Sequence, residues 1–514
     1  MNEREKKRKE MQDRLDAQKT QKDRNVMGQF STPFPLALDM MTYMRKLLGT
    51  DDVSFIEPSI GTGVFYSAFT EVFGNKGQQV LGFEIDPHYF NPTNDFWNDF
   101  PIELRCSDFF AQKPDRLFDM LVANPPYVRH HHIDNETKVR LQNETLHKTG
   151  IRISGLAGLY CYFMMLSSAW LKEGGVSCWL VPSEFMDVNY GEAVKRYLLQ
   201  NVELLHIHRF NADDLQFADA LVSSCIVVFR NNRPTEKHEI QFTIGGNINA
   251  PEFVKMMSAQ QLKADEKWTN LFTKETQHDE HQAKLGDFFT VKRGIATGDN
   301  DFFILDKDTI ERYEIPQQFL RPILPSPRHI KSDRIKSDNG MPVVQHQQFL
   351  FCCNLPESVL KEKYPKVWEY VSLGYERGVQ KGYICSRRTP WYSCEEREPA
   401  AIVVPYMGRS ETSNRLFRFI LNTSKAITTN VYLLLYPKPQ YAHCIKDEKV
   451  LEEIWHELNA IPMETLSRNG RFYGGGLRKM EPKELMQTPA KGIASLMAGK
   501  QAYQQLSLFE CDLK

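Results

Sequence analysis

The chain has 514 residues, 41% hydrophobic and 25% charged, with a net charge of -1, the composition of an ordinary soluble protein with room for two domains. Its charged N-terminus and the lack of any apolar window approaching ~18 residues leave no signal peptide or membrane span to expect. The 10 scattered cysteines include no Cys-x-x-Cys pair, which argues against a metal or disulfide framework and fits a reducing cytosol, so a cytoplasmic location is expected. Charge is unevenly divided: residues 1–24 and 286–514 are basic and the stretch between them acidic, as expected if the C-terminal part meets phosphates and the middle handles a cofactor.

In chain order, residues 1–24 carry almost no large apolar side chains and read as a charged arm, frayed or disordered, that cannot pack a core. From Asp52, short apolar runs alternate with helical patterns. Residues 53–56 predict a buried strand, 64–73 a helix, 79–84 a second strand and 119–123 a later one. Residues 156–171 predict an apolar helix closed by Lys172-Glu173-Gly174-Gly175, followed by a strand at 176–181 and a helix near 191–199. Such alternation means a mostly parallel sheet with helices on both faces. Residues 231–284 are polar and mixed, with Pro234 and Pro251, and read as a connection between domains. Beyond Leu285 basic and aromatic residues interleave with Gly and Pro, as in Lys292-Arg293-Gly294 and Arg471-Phe472-Tyr473-Gly474. The expected organisation is an arm at 1–24, a first domain at 25–285 and a second at 286–514.

The first strand runs into Glu57-Pro58-Ser59-Ile60-Gly61-Thr62-Gly63, whose glycines let the backbone approach a ligand closely. Alone, this turn suits NAD, FAD, a phosphate or no ligand at all. The second strand ends in Glu84-Ile85-Asp86, an acid at the sheet's carboxyl edge where it can accept from ribose hydroxyls. Asp108 stands where a third strand should end; it can accept from an adenine amino group while Phe109 packs on the ring, or it can simply cap the next element. The most specific group is Asn124-Pro125-Pro126-Tyr127, delivered by the strand at 119–123. Two prolines fix the backbone, so the Pro125 carbonyl and the Asn124 side-chain oxygen can converge on one amino group. An aromatic amine is a poor nucleophile, and two acceptors gripping its hydrogens favour a more tetrahedral nitrogen, ready for direct methyl transfer. His130-His131-His132 invites a metal reading, but three consecutive side chains cannot all converge on one ion, and no metal is expected.

In this order the motifs resemble the gamma-class N6-adenine DNA methyltransferases of type II restriction-modification systems, over roughly residues 28–489. The resemblance implies an α/β fold: a Rossmann-like S-adenosylmethionine-dependent methyltransferase sheet followed by a C-terminal α+β target-recognition domain. It implies S-adenosylmethionine as cofactor, with Thr32 at its methionine part, Glu57, Gly61 and Gly63 in the loop beneath it, Glu84 at the ribose, and Asp108 and Phe109 at the adenine. Asn124, Pro125, Pro126 and Tyr127 become the catalytic group, and Tyr127 and Phe217 the walls that stack on a flipped-out base, although Phe217 also reads as a core aromatic. Lys292, Arg293, Arg387, Arg388, Arg471, Arg478 and Lys479 become DNA contacts, to phosphates more often than to bases. The implied partners are double-stranded DNA and a separate cognate restriction endonuclease. Rival readings are methylation of a protein glutamine or an RNA base, a cytosine N4 target, a catalytically silent DNA-binding module, and a fused endonuclease. Cytosine C5 methylation needs a Cys nucleophile, and no Pro-Cys pair occurs.

Overall fold

The computed structural model describes residues 2–74, 78–211, 216, 223–235, 237–272, 283–409, 417–463, 465–466, 471–473 and 477–497. The chain divides into two compact units, one of residues 1–275 with 473–475, the other of the remainder. The first unit is built on nine strands, β1 (Phe55–Glu57), β2 (Val80–Glu84), β3 (Glu103–Cys106), β4 (Phe118–Ala123), β5 (Leu171–Pro182), β6 (Glu203–Arg209), β7 (Ser224–Arg230), β8 (Glu239–Asn247) and β9 (Ala250–Ser258). Their order is β3-β2-β1-β4-β5-β7-β6-β8-β9. β1 to β5 pair in parallel, whereas β7 runs antiparallel to both β5 and β6. The helices are α1 (Glu3–Ala17), α2 (Gln21–Met27), α3 (Phe34–Leu48), α4 (Val64–Val72), α5 (Pro87–Trp97), α6 (Asn135–Thr149), α7 (Leu159–Leu166) and α8 (Gly191–Gln200).

Alternation along the central strands feeds two cores, one on each face of the sheet. Ile56, Leu121 and Trp179 pack with α7 and α8, while Phe55, Met120 and Leu180 pack with α3 and α4. Strand order reverses between β1 and β4, so a crevice opens at their carboxyl ends, the place where ligands bind in open α/β sheets.

Three expectations are revised. Residues 1–24 are not an unpacked arm: α1 sets Met11 and Leu15 against Tyr89 and buries Glu5 and Arg8 as an ion pair. The helix docks largely through polar groups, which a count of apolar side chains passes over. The stretch 156–171 is α-helical only in α7, closes with a 3-10 turn at Ser167–Trp170, and gives way to β5 at Leu171. Gly174, at φ +78°, lies within β5, and the register against β4 shifts between Phe118 and Met120, so the glycines mark a strand irregularity. Residues 231–284 are more than a connection, because β8 and β9 form an antiparallel hairpin that extends the sheet. β9 is an edge strand with Val254 and Met256 exposed, and Pro251, one of the residues that suggested a connection, sits near its start, where an edge strand tolerates proline.

The second unit is α+β. Its five-stranded sheet takes Phe289–Arg293, Tyr432–Pro437, Ile402–Pro405, Ile420–Asn422 and Arg334–Ile335 in spatial order, covered by the helix Glu448–Ala460 through Val450, Ile454 and Leu458. No helix among the described residues is long and apolar enough to cross a membrane.

Candidate active site

A cavity of about 320 Å³ lies at the carboxyl ends of β1 to β4. β1 runs into the glycine turn, where Gly61 and Gly63 take φ values of +55° and +83°, which favour glycine. A Cβ on Gly63 would meet the Trp97 indole at 2.6 Å. The turn is locked from α5, since the Trp97 indole N–H donates to the Thr62 carbonyl (3.1 Å) and the Thr93 hydroxyl to that of Gly61 (2.9 Å). At the end of β2, the Glu84 carboxylate accepts from the backbone N–H groups of Gly61 (3.0 Å) and Asp86 (2.9 Å). Burial raises its pKa, and those N–H groups act against the rise. Glu57 is wholly buried; burial pushes its carboxyl well up, Arg8 pulls it down and Glu84 adds to the rise. Asp108 caps the turn Phe109–Ala111 by accepting from the Phe110 N–H (3.0 Å), with Arg140 at 3.2 Å, and it also lines the cavity. Phe109 is buried and stacked on Phe163 at 5.7 Å.

β4 delivers Asn124 to the same cavity. Its side-chain N–H groups donate to the Phe30 carbonyl and the Thr32 hydroxyl, both at 3.0 Å. With both hydrogens engaged, the amide cannot turn. Its Oδ1 is shielded from solvent and accepts no hydrogen bond from the described residues. A buried acceptor without a donor costs about 1–3 kcal/mol, and native proteins keep few of them. Here that cost falls on a residue that lines the cavity.

Of the expected residues, Gly61, Glu84, Asp108, Phe109, Asn124 and Pro126 line the cavity together. Thr32, Glu57, Gly63, Pro125 and Tyr127 are not part of that lining. Thr32 is buried and holds the Asn124 amide. Tyr127 is buried, its hydroxyl donates to the Leu180 carbonyl (3.1 Å), and its ring packs 5.6 Å from Phe30. Phe217 lies outside the described residues.

Sequence reasoning missed the contribution of α1. Gln12 and Asp16 line the cavity, and Tyr89 joins them. Arg8 donates through Nη1 to the Thr62 hydroxyl (2.6 Å) and through Nε and Nη2 to Glu5 (2.8 and 2.7 Å). Lys19 and Gln29 both donate to Asp86, and although burial acts to raise it, these bonds hold its carboxyl below the usual range. The available signal was the spacing of Glu5, Arg8, Met11 and Leu15, one stripe of a helix.

The basic residues of the second unit differ among themselves. Lys292 and Arg293 are exposed at the end of their strand, with the Arg293 guanidinium 3.9 Å over the Tyr406 ring. Arg387 is exposed and stacks at 3.5 Å on Tyr383. Arg388 instead donates to the carbonyls of Ala296 and Thr297, both at 2.7 Å, and so fastens the turn that follows Gly294. Lys479 pairs with Glu481 at 2.9 Å. Arg478 is half-buried on Leu477–Lys479, which pairs with Met407–Arg409, and Arg471 opens the strand Arg471–Tyr473. His130, His131 and His132 share one 3-10 turn. Among the described residues no group of three or more His, Cys, Asp or Glu is placed to hold a metal ion.

Comparison with known proteins adds sequence relatives for both units. The family model of the Eco57I restriction-modification methylase matches residues 74–216, and that of the C-terminal domain of type II methyltransferase M.Eco57I matches residues 264–509. Type II methyltransferase M.AccI of Acinetobacter calcoaceticus is 27% identical over 484 residues, 90% of this chain and 85% of its own length. Type II methyltransferase M.XamI of Xanthomonas campestris pv. amaranthicola is 26% identical over 482 residues, 92% of this chain and 86% of its own. The solved structure of the type IIL restriction-modification enzyme MmeI in complex with DNA shares the fold, with a TM-score of 0.54 at 12% identity, over 88% of this chain and 66% of that one.

Proposed function

The chain belongs to the type II restriction-modification methyltransferases, and from that premise we propose that it is a gamma-class enzyme carrying a methyl group from S-adenosylmethionine to N6 of an adenine extruded from double-stranded DNA. The target lies in one short recognition sequence, and its methylation protects it from a separate cognate restriction endonuclease. The observation that carries the proposal is the buried, unengaged Oδ1 of Asn124, held in place by Phe30 and Thr32.

The residues divide the work by their place along the sheet edge. Asp108 and Phe109 receive the adenine of the cofactor, Glu84 its ribose, and the glycine turn its methionine tail. S-adenosylmethionine, when bound, supplies an electrophilic methyl group on a sulfonium. Asn124 Oδ1 accepts a hydrogen bond from the target amino group, which weakens conjugation of its lone pair with the ring and favours attack. Because the amide is already oriented, little reorganisation is needed at the moment of reaction. Extruding the base costs a few kcal/mol, and stacking on Tyr127 offsets part of that. In the second unit, exposed Lys292, Arg293 and Arg387 suit phosphate or base-edge contact, while Arg388 acts as a positioning residue for the turn it clamps.

The test is single-molecule sequencing of DNA from a methylation-free host that expresses the protein. N6-methyladenine confined to one motif is expected. An unmodified genome overturns the proposal in favour of a glutamine or RNA substrate, and N4-methylcytosine at one motif overturns the adenine assignment.

A further inference from the structure

Among the described residues, the cavity lining carries three carboxylates, Asp16, Glu84 and Asp108, and no lysine, arginine or histidine. Such a site suits a cation. S-adenosylmethionine has two cationic centres, its sulfonium and the α-ammonium of its methionine tail. Glu84 already receives two backbone N–H groups and faces the ribose, and Asp108 caps a turn, meets Arg140 and belongs to the adenine end. Resting on the cofactor assignment above, we infer that Asp16 of α1 binds the α-ammonium group of the methionine tail, so that the N-terminal helix supplies a cofactor-binding residue.

Topology supports this placement. Strand order sets Asp108, Glu84, the glycine turn and Asn124 side by side along the carboxyl edge. An adenosine over β3 and β2 therefore leaves the tail over the β1 turn. Asp16 is fastened on two sides of that turn. Its Oδ1 accepts from the Tyr89 hydroxyl at 2.7 Å, and its Oδ2 from the Ser31 hydroxyl at 2.9 Å, between the two residues that hold Asn124. Gln12 donates to Oδ1 at 2.9 Å and itself accepts from the Thr62 hydroxyl, tying Asp16 to the glycine turn. These three donors are neutral and orient the carboxylate without cancelling its charge, and the Arg24 guanidinium makes a long ion pair to Oδ2 at 3.9 Å. Carboxylates bind an ammonium through charge-assisted hydrogen bonds.

Calorimetry on the full chain separates the possibilities with three probes: S-adenosylmethionine, S-adenosylhomocysteine, which keeps the amino-acid tail, and methylthioadenosine, which lacks it. The wild type is expected to bind both tailed compounds more tightly than methylthioadenosine. Asp16→Asn should weaken both tailed compounds by about 10- to 100-fold and leave methylthioadenosine within about twofold. Asp16→Ser, which keeps a hydroxyl for Tyr89 and Ser31, should repeat that pattern. Equal weakening of all three compounds would mean a structural role for Asp16, and an unchanged affinity for S-adenosylhomocysteine would mean no contact with the tail; either overturns the inference while the cofactor assignment stands. A wild type that binds none of the three overturns the cofactor assignment itself.

Discussion

At the scale of single residues, the site depends on one amide whose two ends are used differently. Asn124 spends its hydrogens on Phe30 and Thr32 and keeps Oδ1 unengaged. Asn124→Ala should lower methyl transfer by about 10²- to 10³-fold or more, as loss of one preorganised hydrogen-bonding group does elsewhere. Cofactor affinity by calorimetry should be unchanged, and full transfer activity in this variant would remove Asn124 from the mechanism. Thr32 is set against the amide, so Thr32→Val should lower kcat by about tenfold, the effect of one lost positioning hydrogen bond, with cofactor affinity retained. A selective loss of cofactor affinity would instead place Thr32 at the methionine tail, the role its resemblance to the family implies.

At the scale of elements, α1 shows how a helix without a broad apolar face can still be part of a fold. Glu5 and Arg8 are both buried and satisfy one another, and Arg8 reaches on to Thr62 in the glycine turn. Removing one partner strands the other charge, so Arg8→Met should destabilise the first unit by about 3–5 kcal/mol, measured by urea denaturation. A midpoint that does not move would show that the helix docks without this pair. The sheet holds a second buried polar group of residues. His206 sits between Tyr43 (2.9 Å) and Thr243 (2.7 Å), and His208 meets Thr243 at 2.8 Å. Burial, aided at His206 by the neighbouring His208, lowers their pKa values from 6.5 to about 3 and about 4. In this pH range the unfolded chain binds protons that the folded chain refuses, so stability rises with pH. Their contribution is complete above the unfolded value and is lost as pH falls toward about 4 and about 3. The Tm should therefore drop on acidification, and a double variant, His206→Gln with His208→Gln, should show a shallower drop whatever its stability at neutral pH.

At the scale of the whole molecule, the two units answer to different kinds of information. DNA affinity should fall linearly with the logarithm of salt concentration, and Lys292→Ala should reduce that slope by about one while weakening all sequences alike; an unchanged slope would take Lys292 out of the interface. The positions of the strands that border the cavity, the glycine turn, Glu84, Asp108 and the Asn-Pro-Pro-Tyr group were legible in the sequence. Each is a local signal: a short apolar run delivers a turn whose residue types allow few backbone paths, as Gly63 against Trp97 illustrates. The β8–β9 hairpin was not legible, because Pro251 reads as a breaker and only the place of β9 at the sheet edge accommodates it. Nor was α1, whose buried contacts are largely polar and include an Arg8 bond to the distant Thr62 hydroxyl. The division of the basic residues into the exposed Arg387 and the clamping Arg388 is likewise tertiary, since adjacent arginines differ only in what the fold brings near them. By itself, then, the sequence determined which residues stand at the strand ends, because local backbone rules confine them there. Tertiary structure alone decided which polar side chains close the cavity and which hold its walls, because a charge or amide acquires its role from partners far away in the chain.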